Sequence, residues 1–286
     1  MQNKKKISVI TGIYRPNEAL FRKFLHSCLN QTLEGIQFVF IFDDPTDKKS
    51  RDIVNEYKSE IESNKNTFTI LENENNLGIY ATQMRGVQNA LGEYIVFFDN
   101  DDFFDHEYLE VMYKHAKEFD ANVIKGFALT HYFDDIDLNF TFICKHEHIF
   151  NEDDWLYMYK KEFFARYFNY SNMYTSDTSI SRLIKDKWVE KEVVLQIPFY
   201  EGVFYHYVRH CDNTSFIPSD EQEVNKNGKD DAADQERIYE RFMKDVKDTF
   251  GLENMPSKDE LIEILQDYLG LDKSSNNYDF DRLKGL

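Results

Sequence analysis

The chain has 286 residues, 42% hydrophobic and 30% charged, and a formal net charge of −18. This composition is globular, and a surface so acidic argues against general nucleic-acid binding, which needs basic patches. No apolar run reaches the roughly 20 residues of a membrane span, no leader is visible behind Met1, and Cys28, Cys144 and Cys211 are too widely spaced for a disulfide framework, so a reducing cytoplasm is expected.

Ile7 to Ile13 is a short apolar run of strand length. Leu20, Phe21, Phe24, Leu25, Cys28 and Leu29 then recur as one face of a helix. Phe38 to Phe42 predicts a second, buried strand ending at Asp43-Asp44-Pro45. Thr46 or Asp47 can cap a helix with Ile53, Tyr57 and Ile61 inward. Phe68 to Leu71 predicts a third strand, and the polar turn Glu72 to Gly78 leads to a helix with Met84, Val87 and Leu91 inward, closed by Gly92. Tyr94 to Phe98 predicts a fourth strand, Asp105 a helix cap before Tyr108, Leu109, Met112 and Ala116, and Val123 to Ala128 a fifth strand.

Strands alternating with helices predict an α/β fold: a Rossmann-like, mostly parallel central sheet with helices on both faces. Such sheets bind ligands beyond the carboxyl ends of their strands. Residues 129–217 are irregular and aromatic; from Trp155 to Tyr174 the spacing predicts a helix with Leu156, Phe163, Phe164 and Tyr167 inward, and the same rings could wall a sugar site. After Pro218 comes an acidic linker, Asp220 to Asp234, and a small C-terminal helical extension, with amphipathic helices near Gln235 to Phe250 and Lys258 to Leu269.

The densest chemical signal is Asp99-Asn100-Asp101-Asp102 at the end of the fourth strand. Carboxylates crowded this closely repel unless a cation sits among them. Hard divalent ions such as Mg²⁺ or Mn²⁺ prefer oxygen ligands and share them with substrate phosphates.

Taken in order, Ile7 to Tyr14, Ser27 to Thr32, Phe42-Asp43-Asp44, Asn76-Leu77-Gly78 and Gly92 to Asp102 resemble the family 2 glycosyltransferases of GT-A fold, over about residues 6 to 215. The resemblance implies a GT-A domain over 1–217, with a nucleotide-binding half of about 1–128 and an acceptor half of about 129–217, ahead of the extension 218–286. It implies an inverting, metal-dependent transfer from a nucleotide sugar, UDP-linked, to a glycan or lipid-linked glycan of the cell surface, such as capsule or lipopolysaccharide. A cytoplasmic enzyme peripheral to the membrane or to a biosynthetic complex would suit that role. A retaining transferase, a non-catalytic nucleotide-sugar-binding module and a phosphotransfer-type domain are the alternatives.

By the same resemblance Gly12, Tyr14, Asp43, Asp44, Asn76, Asp99 and Asn100 border the nucleotide, with Asp44 on the base and Asp99 near the ribose. Asp101, with Asp99 and His210, would hold Mn²⁺ or Mg²⁺, and Asp102 and Arg209 would face donor or acceptor. His206 is a weaker metal candidate. Asp177, in Tyr174-Thr175-Ser176-Asp177-Thr178, is the candidate general base; a helix cap is its plainer alternative, as a turn is for Asp44 and strand-end packing for Tyr14. Two departures stand out. Thr82-Gln83-Met84 replaces the family's Ala-Arg-Asn, and Arg15 replaces the asparagine after the first tyrosine. Gln83 lacks the lost charge, Arg85 should point elsewhere on its helix, and Arg15 is a cation that could compensate.

Overall fold

A computed structural model describes residues 5–63, 66–132, 140–144, 156–167, 194–196, 202–209 and 254. In chain order the elements are β1 (Lys5–Ile13), α1 (Glu18–Leu29), β2 (Ile36–Phe42), α2 (Lys48–Ser63), β3 (Thr67–Glu72), α3 (Gly78–Asn89), β4 (Gly92–Phe97), β5 (Phe103–Phe104), α4 (Tyr108–Glu118), β6 (Val123–Lys125), β7 (Ala128–Tyr132), β8 (Phe140–Cys144), β9 (Tyr157–Lys160), α5 (Lys161–Tyr167), β10 (Val194–Gln196) and β11 (Tyr205–Arg209). They fall into two compact units, Met1–Ala128 with His146–His206, and Leu129–Lys145 with Tyr207–Leu286. In the second unit β7 and β8 are neighbouring strands.

The first unit is built on a seven-stranded sheet in the order β10-β6-β9-β4-β1-β2-β3. β1 pairs in parallel with both β2 and β4, and β2 with β3. Every residue of β2 is buried, as befits a parallel strand covered on both faces. Successive residues show the two layers. Phe40 meets Phe24 of α1, ring centroids 5.8 Å apart. Its neighbour Ile41 faces the other way, toward α3, where a Cβ on Gly86 would lie 3.1 Å from its Cδ1 and 2.3 Å from Ile10 Cγ2. The fold is therefore the expected α/β sandwich with a mostly parallel sheet.

The starts of α1 and α2 follow their caps. Asn17 Oδ1 accepts the Ala19 and Leu20 amides at 3.0 and 3.3 Å, and of the two candidates before α2 it is Asp47 that accepts from Ser50, at 3.1 Å. Tyr108, Leu109, Met112 and Ala116 of α4 are all buried, as their spacing requires.

Four expectations change. Gly92 is not a helix C-cap: α3 ends at Asn89, Leu91 is 63% exposed, and Gly92 opens β4. A Cβ there would lie 2.4 Å from Ser8 N, so the glycine serves close packing against β1. Asp105 is not the cap of α4, whose N-cap is Glu107 without a side-chain bond; its carboxylate is used elsewhere, as described below. The fifth strand divides into β6 and the start of β7, with Gly126, whose N–H donates to Leu156 O at 2.9 Å, and Phe127 between them. Finally, the stretch read as helical from Trp155 opens as a strand. β9 inserts antiparallel between β4 and β6, with Ile95 opposite Tyr159 and Ile124 opposite Met158, and only then does α5 begin, burying Phe163 and Phe164. Residues 218–286, with both expected C-terminal helices, lie outside the described residues apart from 254.

Candidate functional site

Parallel pairing brings the carboxyl ends of β1, β2, β3 and β4 to one edge of the sheet, and backbone bonds extend the alignment beyond the strands. Asp43 N–H donates to Ile13 O at 2.8 Å, Asn73 N–H to Phe42 O at 2.8 Å, and Phe98 N–H to Ile10 O at 3.1 Å. The predicted residues Gly12, Tyr14, Asp43, Asp44, Asn76 and Asp99 to Asp102 are thus brought to one sheet edge. Asn100 Nδ2 ties the acidic turn to the first strand by donating to Gly12 O at 2.7 Å.

The two aspartates after β2 do different work. Asp43 is buried, and its carboxylate accepts from Asn73 Nδ2 (2.7 Å), Leu77 N–H (2.8 Å) and Gly78 N–H (3.0 Å). It shapes the loop into α3, aided by Asn76 Oδ1, which accepts from Gly78 at 2.9 Å. Gly78 has φ +78, a left-handed conformation that suits glycine. Asp44 instead faces Arg15, whose Nε donates to Oδ2 at 2.6 Å, while Oδ1 accepts from the Thr46 amide (2.8 Å) and hydroxyl (2.7 Å). The Thr46 bonds, with Arg15 beside them, lower the Asp44 pKa to about 2.

Arg15 is a non-glycine residue at φ +43. Its guanidinium lies 5.4 Å from the centroid of the Tyr14 ring, and Tyr14 is 43% exposed. A tyrosine face, a guanidinium and an ionised carboxylate together offer stacking, donors and acceptors in one place. Arg85, by contrast, is spent elsewhere: Nη1 donates to Glu72 O at 2.5 Å and to Asn73 Oδ1. Gln83 is buried.

Because the folded Asp44 pKa lies below its ordinary value of 3.8, its contribution to stability is full above that value and fades as pH falls through about 2. Melting temperatures of wild type and Asp44→Asn should therefore differ most above pH 4 and converge toward pH 2, on the roughly one-unit scale over which a carboxylate titrates. A gap that stayed constant with pH would remove the Asp44 charge, with its Thr46 and Arg15 partners, from the account.

The acidic turn is compact. One oxygen from each of Asp99, Asp101 and Asp102 lies within 4.8 Å of the others, Asp99 and Asp101 half-buried and Asp102 buried. All three donors are hard carboxylate oxygens, the set that suits Mg²⁺ or Mn²⁺. Among the described residues this is the cluster of acidic, histidine or cysteine groups able to hold an ion.

Beneath the turn sits Tyr205, which in sequence is one ring of the aromatic stretch 129–217. The Tyr205 hydroxyl accepts from Asp99 N–H at 3.3 Å and donates to Asp102 Oδ2 at 2.7 Å. Burial, with Asp102 and Asp99 nearby, holds its pKa well above the ordinary range. The next residue, His206, is fully buried, with Nε2 2.9 Å from Asp105 Oδ1 and its ring stacked on Phe103. Its ring is therefore committed to Asp105. The aromatic run 200–210 was the signal available, but spacing could not reveal partners about a hundred positions upstream. Arg209 lies in β11. Asp177 and His210 lie outside the described residues.

The sequence profile described as Glycosyl transferase family 2 matches residues 8–182, more than half the chain. The chain therefore belongs to the family 2 glycosyltransferases. It is 35% identical over 121 residues to the glycosyltransferase GlyA of Streptococcus pneumoniae, covering 42% of this chain and 16% of that protein. It is 34% identical over 123 residues to the poly(ribitol-phosphate) beta-glucosyltransferase of Bacillus spizizenii, covering 42% and 19%. The cholesterol galactosyltransferase of Borreliella burgdorferi is 30% identical over 122 residues, covering 43% and 32%. The alignments thus span well under half of these relatives. In structure the chain resembles S. aureus TarS 1–349, with a TM-score of 0.56 at 15% identity over 92% of this chain and 82% of that one, which supports the GT-A fold. TarS 1–349 in complex with UDP-GlcNAc gives 0.54 at 14% identity, covering 92% and 71%.

Proposed function

We propose that the chain is an inverting, metal-dependent glycosyltransferase that moves a sugar from a UDP-linked donor to a hydroxyl of a growing surface glycan. The observation that carries this reading is the trio of carboxylates at the tip of β4, tied through Asn100 to Gly12 and set at the same sheet edge as Tyr14 and Asp44. The similarity to TarS structures with UDP-GlcNAc and UDP supports the donor class. The name of the poly(ribitol-phosphate) transferase supports a cell-surface polymer as acceptor. A cytoplasmic protein, peripheral to the membrane or part of a biosynthetic complex, suits such an acceptor.

In this reading Tyr14 stacks on the base and Asp44, ionised down to about pH 2, accepts from a ring N–H. Arg15 would offset the charge that Gln83 lacks. Asp43 and Asn76 act one step back, holding the loop that borders the nucleotide. Asp99 meets the ribose, and Asp101 with Asp99 would hold Mn²⁺ or Mg²⁺, with His210 as a further ligand. When bound, the ion supplies positive charge to a departing diphosphate. Asp102 and Arg209 orient the sugar and its phosphates. Asp177 takes the acceptor proton as the new bond forms on the face opposite the leaving group, which inverts the anomeric centre.

The test is a screen of nucleotide sugars for nucleoside diphosphate release, with and without Mn²⁺. Mn²⁺-dependent release from a UDP-sugar is expected, with an inverted product; a retained configuration would select the retaining alternative. Absence of release from every donor, together with absence of metal-dependent nucleotide binding, would overturn the proposal.

A further inference from the structure

We propose that Tyr205, backed by the Asp105–His206 pair, is the positioning device that holds the acidic turn ready for a divalent ion. The inference rests on the metal-dependent reading above and assigns β11 a part in it.

The geometry is a three-point suspension. At one end the Tyr205 hydroxyl accepts from the backbone of Asp99, and in the middle it donates to the carboxylate of Asp102. At the far end Asp105 is gripped on every side. Its N–H donates to Phe204 O at 3.0 Å, its Oδ2 accepts from Phe204 N–H at 2.8 Å, and its Oδ1 meets His206 Nε2 at 2.9 Å. Its carbonyl also accepts from Gln31 Nε2 at 2.8 Å. Between these points Phe103 and Phe104 pair with His206 and Tyr205. Residues 99 to 105 are therefore held by residues 204 to 206, all within the first unit.

The reason such a clamp matters is electrostatic. Three carboxylates with oxygens inside 4.8 Å repel one another, and an unconstrained turn would relax by splaying. A phenol has one proton to give; because Tyr205 accepts from Asp99 N–H, that proton goes to Asp102. This fixes one Asp102 oxygen and, with the Asp99 amide, holds the turn that carries the proposed ion ligands Asp99 and Asp101. Groups that orient ion ligands in this way commonly matter nearly as much as the ligands. Tyr205 is fully buried and its ring centroid lies 4.9 Å from that of Phe98, so removing only the hydroxyl should leave the packing in place.

The experiment compares Mn²⁺ affinity of the full chain by loss of the free-ion EPR signal, with thermal melting alongside, for wild type, Tyr205→Phe and Asp105→Asn. Tyr205→Phe should bind Mn²⁺ about 10- to 100-fold more weakly, the range for partners of ion ligands, while UDP affinity without metal falls far less, since Tyr205 reaches the proposed ribose contact only through the Asp99 backbone N–H. Asp105→Asn, which weakens the far anchor, should lower Mn²⁺ affinity in the same direction, and it carries the test if Tyr205→Phe fails to fold. Rescue of Tyr205→Phe by saturating Mn²⁺, with kcat restored, would further support positioning. Folded variants that bind Mn²⁺ as wild type does, whatever their melting temperatures, would overturn this inference and leave the transferase reading standing. Wild type that binds no Mn²⁺ would overturn the metal reading, and the positioning role with it.

Discussion

Asp101→Asn should reduce Mn²⁺-dependent donor hydrolysis and sugar transfer by at least about a thousandfold, or ~4 kcal/mol of transition-state stabilisation. The substitution keeps the shape of the side chain and removes its charge. Asp101 lies in the middle of the turn, between residues fixed by Asn100 to Gly12 and by Asp102 to Tyr205. The fold should not depend on it, because it is half-buried and sits outside the strands. Melting temperature is therefore expected to hold while Mn²⁺ affinity and turnover collapse together. Loss of turnover with intact Mn²⁺ binding would move the ion to Asp99 and Asp102. Turnover within tenfold of wild type would remove the cluster from the chemistry altogether.

Asp177→Asn should lower transfer by about 10²- to 10⁴-fold, the contribution usual for a positioned proton acceptor. UDP and Mn²⁺ binding should survive, since neither depends on that carboxylate in the proposed mechanism. The alternative, a helix cap, makes a different forecast. A lost cap costs about 1 kcal/mol of stability, and asparagine is itself a good cap, so the cap account expects little change in either stability or rate. A variant that binds donor and ion normally yet fails to transfer separates the two.

Much of the fold was legible because the chain's first half alternates periods cleanly. β1 to β4 are apolar runs with polar residues at their carboxyl ends, and that is where the site assembles. What was missed shares one cause: the deciding partner lies far away in sequence. Tyr157 to Lys160 have four residues and no period that separates strand from helix, and their assignment rests on neighbours at Tyr94 to Val96 and Val123 to Lys125. Gly92 looks like a helix stop in sequence and is instead a close approach to Ser8, 84 positions away. Asp105 has the spacing of a cap, and its carboxylate goes to Phe204 and His206. Tyr205 read as one aromatic among many until its hydroxyl was found under Asp99 and Asp102. The family motifs gave the site its outline, while the hydrogen bonds distinguish Asp43, turned to its own loop, from Asp44, turned to Arg15.

The antiparallel insertion of β9 bears on how the protein is made. Tyr94 pairs with Lys160, so the strand carrying the acidic turn keeps one side of its backbone unmatched until some sixty further residues have left the ribosome. Closing so long a loop is slow, and an apolar, unzipped border invites pairing with a neighbouring nascent chain. The segment that fills this border is therefore expected to set when β4 is shielded from such pairing, apart from any part it has in the chemistry.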